Sequence, residues 1–429
     1  MNEPVSGGIS PGARRYALAV LAVVYMFNFV DRQILEILLP SIKEEFQVGD
    51  TVLGLLACTA FALFYVGLGV PIARLADRWN RRNLIALAVA VWSGMTALSG
   101  LAANIWQLTL ARIGVGVGEA GCSPPAHSMI ADLYPPEQRS SAMGFYTLGI
   151  SAGIMLAYLA GGWVVQNMGW REAFFIICLP GLLLALIVRF TLPEPRRGAS
   201  EERRDSGSRP ELITVVRFLK ARKSFLYMAI AAGLSSFVGY SIVNFMPSFI
   251  DRSFGVGIAV IGFWLGIIYG IAGGAGFYFG GYIADRIGRA GHRKAMVFIA
   301  ASTVASALFY GGVFLSSSLF ACMTLLIIPT VISNSYLAPV LSQTQSLVSL
   351  RMRAVASSLV LLIINVIGLA MGSPLTGFIS DLLEPVLGAE SMRYSLLIVS
   401  SVMLPLAAWC YFRAGKYIEQ DLRRADERD

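Results

Sequence analysis

Charged residues are scarce in this 429-residue sequence, and their scarcity excludes a soluble protein. Asp, Glu, Lys and Arg make up 14% of the chain, whereas hydrophobic residues make up 56% and the mean hydropathy is +0.67. Soluble domains carry roughly 25% charged residues. A soluble fold of this composition would have too little polar surface, so the composition predicts an integral membrane protein.

Histidine and paired cysteine are also nearly absent. The chain has two histidines, His127 and His292, and five cysteines that lie far apart in apolar stretches without a C-x-x-C pair. This pattern gives no disulfide framework and no metal site. Neither histidine has an obvious Ser or Cys partner for nucleophilic catalysis, and no nucleotide-binding loop is present. We therefore expect neither an enzyme nor a cofactor.

Long apolar stretches recur along the whole chain instead. Each is about 20 residues long or more, the length that crosses the hydrocarbon of a bilayer. All must be helical, because lipid cannot satisfy exposed backbone polar groups. The twelve predicted spans are 16–40, 52–77, 83–103, 106–132, 138–166, 170–192, 224–250, 258–285, 294–315, 319–348, 354–382 and 391–413. The sequence thus predicts an all-α membrane protein with twelve transmembrane helices in two six-helix bundles.

The predicted domains are an N-terminal bundle (1–192), a cytoplasmic linker (193–223) and a C-terminal bundle with its tail (224–429). The first half of the linker is rich in Pro, Gly, Ser and charge, as in a flexible segment. In its second half, apolar residues from Leu212 to Leu219 recur at helical spacing. This periodicity favours a short amphipathic helix on the inner membrane surface, and a plain linker remains the alternative.

The distribution of Lys and Arg predicts the orientation. The connections on one side of the predicted membrane carry only Lys43, Arg171, Arg252 and Arg393, whereas the other side, with both termini, carries most basic residues. By the positive-inside rule both termini face the cytoplasm. The net charge of +8 is then a topology signal, and we expect no nucleic-acid partner. No small-residue cleavage site follows the first apolar run, which predicts a retained span.

Two loops repeat one motif at equivalent places in the two halves. The first reads ARLADRWNRRN (73–83) and the second GYIADRIGRAGHRK (281–294). A repeat on this scale implies two pseudo-symmetric bundles. The loops resemble the signature loop of the major facilitator superfamily, although Ala73 and Asn80 stand where the family usually has Gly. The resemblance implies a conformational latch on the cytoplasmic side, formed by Asp77, Arg78, Arg81, Asp285, Arg286 and Arg289. The alternative is that these charges only set topology.

Four ionisable residues interrupt the first and fourth spans. Asp31 and Arg32 lie in the first, and Arg112 and Glu119 lie two helical turns apart on one face of the fourth. Charges within a membrane are costly and usually functional. Burial favours the neutral form of a carboxylic acid and a nearby arginine favours the ionised form, so rearranged pairs would couple a proton to substrate movement. The alternative is a permanent ion-pair network that only holds the helices together.

The segments around these charges resemble the Spinster family of lipid transporters. They read NFVDRQIL in the first span, and RIGVGVGEA with the downstream SPPAHSMIADLYPPEQR in the fourth. The resemblance implies that Asp31, Arg32 and Glu119, with Arg112 beside them, serve substrate binding and proton coupling. It implies an amphiphilic anionic lipid as cargo. The superfamily fold implies a monomer surrounded by membrane lipids, and the lack of a eukaryotic-style extension favours a bacterial inner membrane. A carrier of small organic anions or sugar acids, and a non-transporting sensor, are the rival interpretations.

The C-terminal half offers polar residues that could line a substrate cavity. Each of them is more often an interhelical hydrogen-bonding residue than a ligand contact. The candidates are Tyr240, Asn244, Tyr269, Asn334, Tyr336 and Asn365.

Overall fold

The computed structural model describes residues 9–59, 67, 71–72, 75, 78–196, 212–276, 286, 291–333, 335–348 and 352–426. Within these ranges the chain forms helices and no strand. Nine of the described helical segments are long and apolar enough to cross a membrane. The predicted all-α membrane fold is therefore confirmed. Parts of the second and eighth predicted spans lie outside the described residues.

Two compact units divide the chain. The first contains the described residues of Met1–Gln47, Ala60–Ser206 and Gly257–Gly266, and the second those of Val48–Thr59, Gly207–Val256 and Ile267–Asp429. The helices of unit 1 are α1 (Pro11–Phe46), α3 (Arg81–Gly100), α4 (Ile105–Glu119), α5 (Ser123–Leu133), α6 (Pro136–Asn167), α7 (Trp170–Thr191) and α10 (Ile258–Ile267). The helices of unit 2 are α2 (Asp50–Gly54), α8 (Leu212–Lys220), α9 (Lys223–Phe254), α11 (His292–Leu315), α12 (Leu319–Ser333), α13 (Leu337–Ser346), α14 (Arg353–Ile364), α15 (Gly372–Leu387) and α16 (Ser391–Asp426).

Helix α1 begins and ends at residues that suit its termini. The Ser10 side chain accepts a hydrogen bond from the backbone N–H of Ala13 at 3.2 Å, and Pro11 occupies the first helical position. Gln47 ends the helix in the left-handed conformation, with φ at 50°. The 36 residues of α1 span about 54 Å at 1.5 Å per residue, which exceeds the hydrocarbon thickness of a bilayer.

Close packing of α1 on α6 builds the middle of unit 1. A Cβ atom added at Gly149 would lie 2.7 Å from the backbone oxygen of Ala22 on α1. Only a glycine lets the two backbones approach this closely. Helix packing thus explains the glycine at position 149 of the fifth predicted span.

The outward face of α7 shows how these helices meet lipid. Leu179, Leu183, Leu186 and Phe190 are each more than half exposed, and they recur at helical spacing. The opposite face, including Val188, is buried in the core of unit 1. An exposed apolar stripe of this length fits contact with hydrocarbon.

The predicted helix in the linker is present as α8, in unit 2. Val215 and Leu219 are fully buried, and they pack into the same apolar core as Phe225 and Met296. Packing against the protein thus accounts for the apolar periodicity that we interpreted as a membrane-surface helix.

An acidic side chain from α15 caps the start of α2. The N-cap of α2, Gly49, has no side chain to accept a hydrogen bond. Asp381 replaces it: Oδ1 accepts from the backbone N–H of Asp50 at 2.7 Å, and Oδ2 accepts from that of Thr51 at 2.9 Å. Asp50 itself is fully buried and binds both terminal nitrogens of Arg252, at 2.8 and 2.5 Å.

This cap gives a first prediction. Asp381→Ala should destabilise the protein by about 1–2 kcal/mol, because it removes the acceptor for buried N–H groups at a helix start. Thermal unfolding of the purified protein in detergent measures the effect. Asp381→Asn keeps one acceptor oxygen and should lose less. An unchanged midpoint for Asp381→Ala would contradict the capping role.

Candidate functional site

Asp31 on α1 pairs with Arg112 on α4 in the interior of unit 1. Arg112 donates from Nη1 to Asp31 Oδ1 at 2.7 Å and from Nη2 to the Asp31 backbone oxygen at 3.1 Å. The second carboxylate oxygen, Oδ2, contacts the Thr96 hydroxyl of α3. Both charged side chains are almost fully buried. A buried pair with this many hydrogen bonds offsets much of its desolvation cost.

Arg32 and Glu119 form the second pair between the same two helices. Arg32 Nε donates to Glu119 Oε2 at 2.5 Å, and its guanidinium carbon lies 5.4 Å from the ring centroid of Phe29. The Arg32 side chain is 21% exposed, whereas that of Glu119 is fully buried. Within the part of the chain that the structure describes, no group donates to the other oxygen, Glu119 Oε1. The pair thus joins a partly exposed guanidinium to a buried carboxylate, of which one oxygen accepts a hydrogen bond and the other does not.

A break in the fourth span places Glu119. Helix α4 ends at Glu119 and α5 starts at Ser123, with Pro124 in its first turn. Proline has no backbone N–H and tolerates a helix start far better than an interior position. One residue before the break, a Cβ at Gly118 would lie 2.7 Å from the backbone nitrogen of Trp92. Glycine here lets α4 approach α3 closely while the glutamate stays at the interrupted end.

The structure describes three of the six predicted latch residues. Asp77, Asp285 and Arg289 lie outside the described residues, and Arg78 and Arg286 are exposed. Their role as a latch therefore stays a prediction.

Arg81 is buried within unit 1. Its Nε donates to Glu194 at 2.9 Å, its Nη2 donates to the Pro195 oxygen at 2.7 Å, and its Nη1 contacts Ser128 and Asp132. These contacts tie the chain that follows α7 to α3 and α5. They give Arg81 an anchoring role inside one unit, which the sequence did not indicate.

The C-terminal candidates lie in unit 2 and do not form one described cluster. Asn244 is buried and donates to Ser373 Oγ at 2.6 Å, next to the Cys58 sulfur at 2.7 Å. Tyr269 is buried, Tyr240 and Asn365 are half-buried, and Asn334 lies outside the described residues. Their proposed place in a substrate cavity stays a prediction.

Tyr336 lines a small internal cavity of about 20 Å³ in unit 2. That space suffices for about one water molecule. The residues of the wall that carry a hydroxyl group are Ser235, Ser302, Thr303, Ser306, Tyr310, Ser333, Ser335 and Tyr336.

One acidic group in unit 2 has the spacing of metal ligands. Carboxylate oxygens of Asp50, Asp381 and Glu384 lie within 4.8 Å of one another. Asp50 already accepts from Arg252, and Asp381 already accepts from backbone N–H groups. Since these oxygens are engaged as hydrogen-bond acceptors, we do not interpret the group as a metal site.

The sequence matches the family model of the Major Facilitator Superfamily over residues 21–373. The chain belongs to the major facilitator superfamily. This membership agrees with the all-α fold and with the duplicated signature loop, and it makes the chain a membrane transporter of that superfamily by descent.

Similarity to individual members shows which proteins of the superfamily this chain resembles. An MFS-type efflux pump of Mycolicibacterium smegmatis is 31% identical over 95% of this chain and 94% of its own length. Protein spinster homolog 1 of Homo sapiens is 33% identical over 57% of this chain and 47% of its own length. The crystal structure of a bacterial homologue of the human lysosomal transporter Spinster, inward-facing and unoccupied, is 29% identical with a TM-score of 0.87, covering 96% of this chain and 99% of the other. The resemblance to Spinster proteins is thus confirmed.

Sequence reasoning missed one acidic residue of this major facilitator protein. Glu36 lies four residues after Arg32 on α1, is 6% exposed, and touches Tyr158 of α6. The signal was present in the sequence as a lone acid inside the apolar run QILEILLP. An intramembrane acid of this kind is a functional candidate by default.

Proposed function

We propose that this transporter works by alternating access and couples protons to the movement of an amphiphilic anionic lipid, such as a lysophospholipid or a sphingosine-phosphate-like molecule. The similarity to a bacterial Spinster homologue, which covers 96% of this chain, supports the lipid class. The distribution of basic residues favours cytoplasmic termini in a bacterial inner membrane.

The observation that carries the proposal is the contact between Arg32 and Glu119. The arginine is partly accessible and the carboxylate is not. A proton on Glu119 would remove the charge that holds Arg32, because the neutral acid attracts a guanidinium far less than the carboxylate does. Arg32 would then be available to bind an anionic head group. Substrate release and proton release would restore the pair.

The neighbouring pair of Asp31 and Arg112 has a different place in this proposal. Both of its partners are almost fully buried and are held by several hydrogen bonds. We assign it to holding α1 against α4, so that the Arg32–Glu119 contact can open without separating the helices. Asp31 would affect coupling through this geometry.

Uptake of labelled lysophospholipid into proteoliposomes, with and without an imposed pH gradient, tests the proposal. The wild type should show gradient-dependent flux, and Glu119→Gln should show a weaker dependence on the gradient, because the amide does not titrate. Glu45→Gln is the matched control, since Glu45 forms a comparable 2.5 Å pair with Arg171 but is 41% exposed. The control should keep the wild-type response.

Three outcomes would contradict the proposal. A gradient dependence in Glu119→Gln equal to that of the wild type would remove Glu119 from coupling. Competition by small carboxylates but not by lysolipids would replace the lipid by a small organic anion or sugar acid. Binding without any flux would instead point to a membrane sensor.

A further inference from the structure

Glu36 differs from the other two buried acids of α1 and α4 in its surroundings. Its Oε2 accepts hydrogen bonds from the Tyr158 hydroxyl at 2.7 Å and from the Gln33 amide at 2.9 Å. Both donors are neutral. Asp31 and Glu119, in contrast, each contact an arginine directly.

Among the residues that the structure describes, the charged group that acts on Glu36 from another helix is Arg112 of α4, through space and without a hydrogen bond. Arg112 is already engaged by Asp31. Tyr158 is the polar group that α6 presents, and Gln33 is the one from α1 itself. A buried carboxylate without a paired cation is costly, and proton binding relieves that cost.

We propose that Glu36 is a second proton-binding residue of the transport cycle. It takes up a proton from water as the neutral acid and returns it as the carboxylate, with no other bond changed. Tyr158 and Gln33 hold its Oε2 in both forms. This inference rests on the proposed proton-coupled function and adds a second site to it.

The register of α1 shows how the second site communicates with the first. Arg32 and Glu36 are four residues apart, so their side chains lie on the same face of α1, one turn from each other, a spacing at which opposite charges can attract even though the order with the acid first is the more favourable one. When Glu36 loses its proton, it becomes a second carboxylate partner for Arg32, in competition with Glu119. Two acids would then share one arginine, and the proton count would determine which of them holds it.

Infrared difference spectroscopy tests proton binding without relying on transport. A pH jump applied to the purified wild type should give a carboxylic C=O stretching band that Glu36→Gln lacks and Glu45→Gln retains. Tyr158→Phe should shift the frequency of that band, because it removes one hydrogen bond from Oε2. A spectrum of Glu36→Gln identical to that of the wild type would overturn the proposal.

The ratio of protons to substrate tests the coupling. The reversal potential of flux in proteoliposomes should show one proton fewer per substrate for Glu36→Gln than for the wild type, and Glu36→Asp should restore part of the difference. An unchanged ratio would overturn the coupling role of Glu36. If the wild type moves no lysolipid at all, the proposed substrate fails, whereas the infrared band still decides whether Glu36 binds a proton.

Discussion

Arg112→Met should destabilise the protein by about 3–5 kcal/mol, because it leaves the Asp31 carboxylate buried without its cation. The guanidinium provides two of the contacts to Asp31, at 2.7 and 3.1 Å, and methionine replaces neither. The decrease in the thermal unfolding temperature of the purified protein in detergent measures the effect. We expect this substitution to have the largest effect on stability of those considered.

Two further variants show whether the unpaired charge is the cause. Asp31→Asn combined with Arg112→Met removes both charges and should recover a substantial part of the loss. Arg171→Met is the matched control, since Arg171 also binds a carboxylate at 2.5 Å but is 32% exposed, and such surface pairs contribute about 0–1 kcal/mol. Equal destabilisation by Arg112→Met and Arg171→Met would contradict the buried-pair argument.

Arg32→Gln should reduce affinity for an anionic lysolipid at least about thirtyfold, which corresponds to about 2 kcal/mol. Glutamine keeps a hydrogen-bond donor but lacks the charge that would hold the head group. Equilibrium binding of labelled lysophosphatidic acid to the purified protein measures the loss. A monoacylglycerol of the same chain length has no charged head group and should bind both proteins with similar affinity.

The effect of leaving the Glu119 carboxylate buried without Arg32 needs a control of its own. Arg32→Gln leaves Glu119 without the arginine at 2.5 Å, so part of the loss could come from a perturbed fold. The double variant Arg32→Gln/Glu119→Gln carries no buried charge at this position. It should unfold at a temperature close to that of the wild type and still fail to prefer the anionic lipid. An equal loss of affinity for both lipids would remove Arg32 from head-group binding.

Several features of this protein could be predicted because they depend on local sequence alone. Apolar length and the cost of exposed backbone in lipid predict helices that span a membrane. The Pro pair at 124–125 lies in the first turn of α5, directly after the interruption between Glu119 and Ser123, and prolines of this kind favour a helix start. Isolated charges in apolar runs indicate Asp31, Arg32, Arg112 and Glu119, whatever their neighbours are.

The pairing between individual acidic and basic residues could not be predicted in the same way. Consecutive residues on a helix do not share a face, so Asp31 and Arg32 had to take different partners, but nothing in the sequence assigns Arg112 to one and Glu119 to the other. Arg81 shows the same limit. The resemblance of its loop implies a latch on the cytoplasmic side but does not name its partners, which in the fold are Asp132 and Glu194.

The sequence by itself thus determined the membrane class, the helices and the four charged residues of the first and fourth spans, because hydropathy and backbone hydrogen bonding act over one or a few turns. The tertiary structure decided which acid meets an arginine and which does not. Glu36 is the clearest example: its distinction from Asp31 and Glu119 lies in the neutral donors Tyr158 and Gln33. Tyr158 is 122 residues away along the chain, and only the packing of α1 on α6 brings it there.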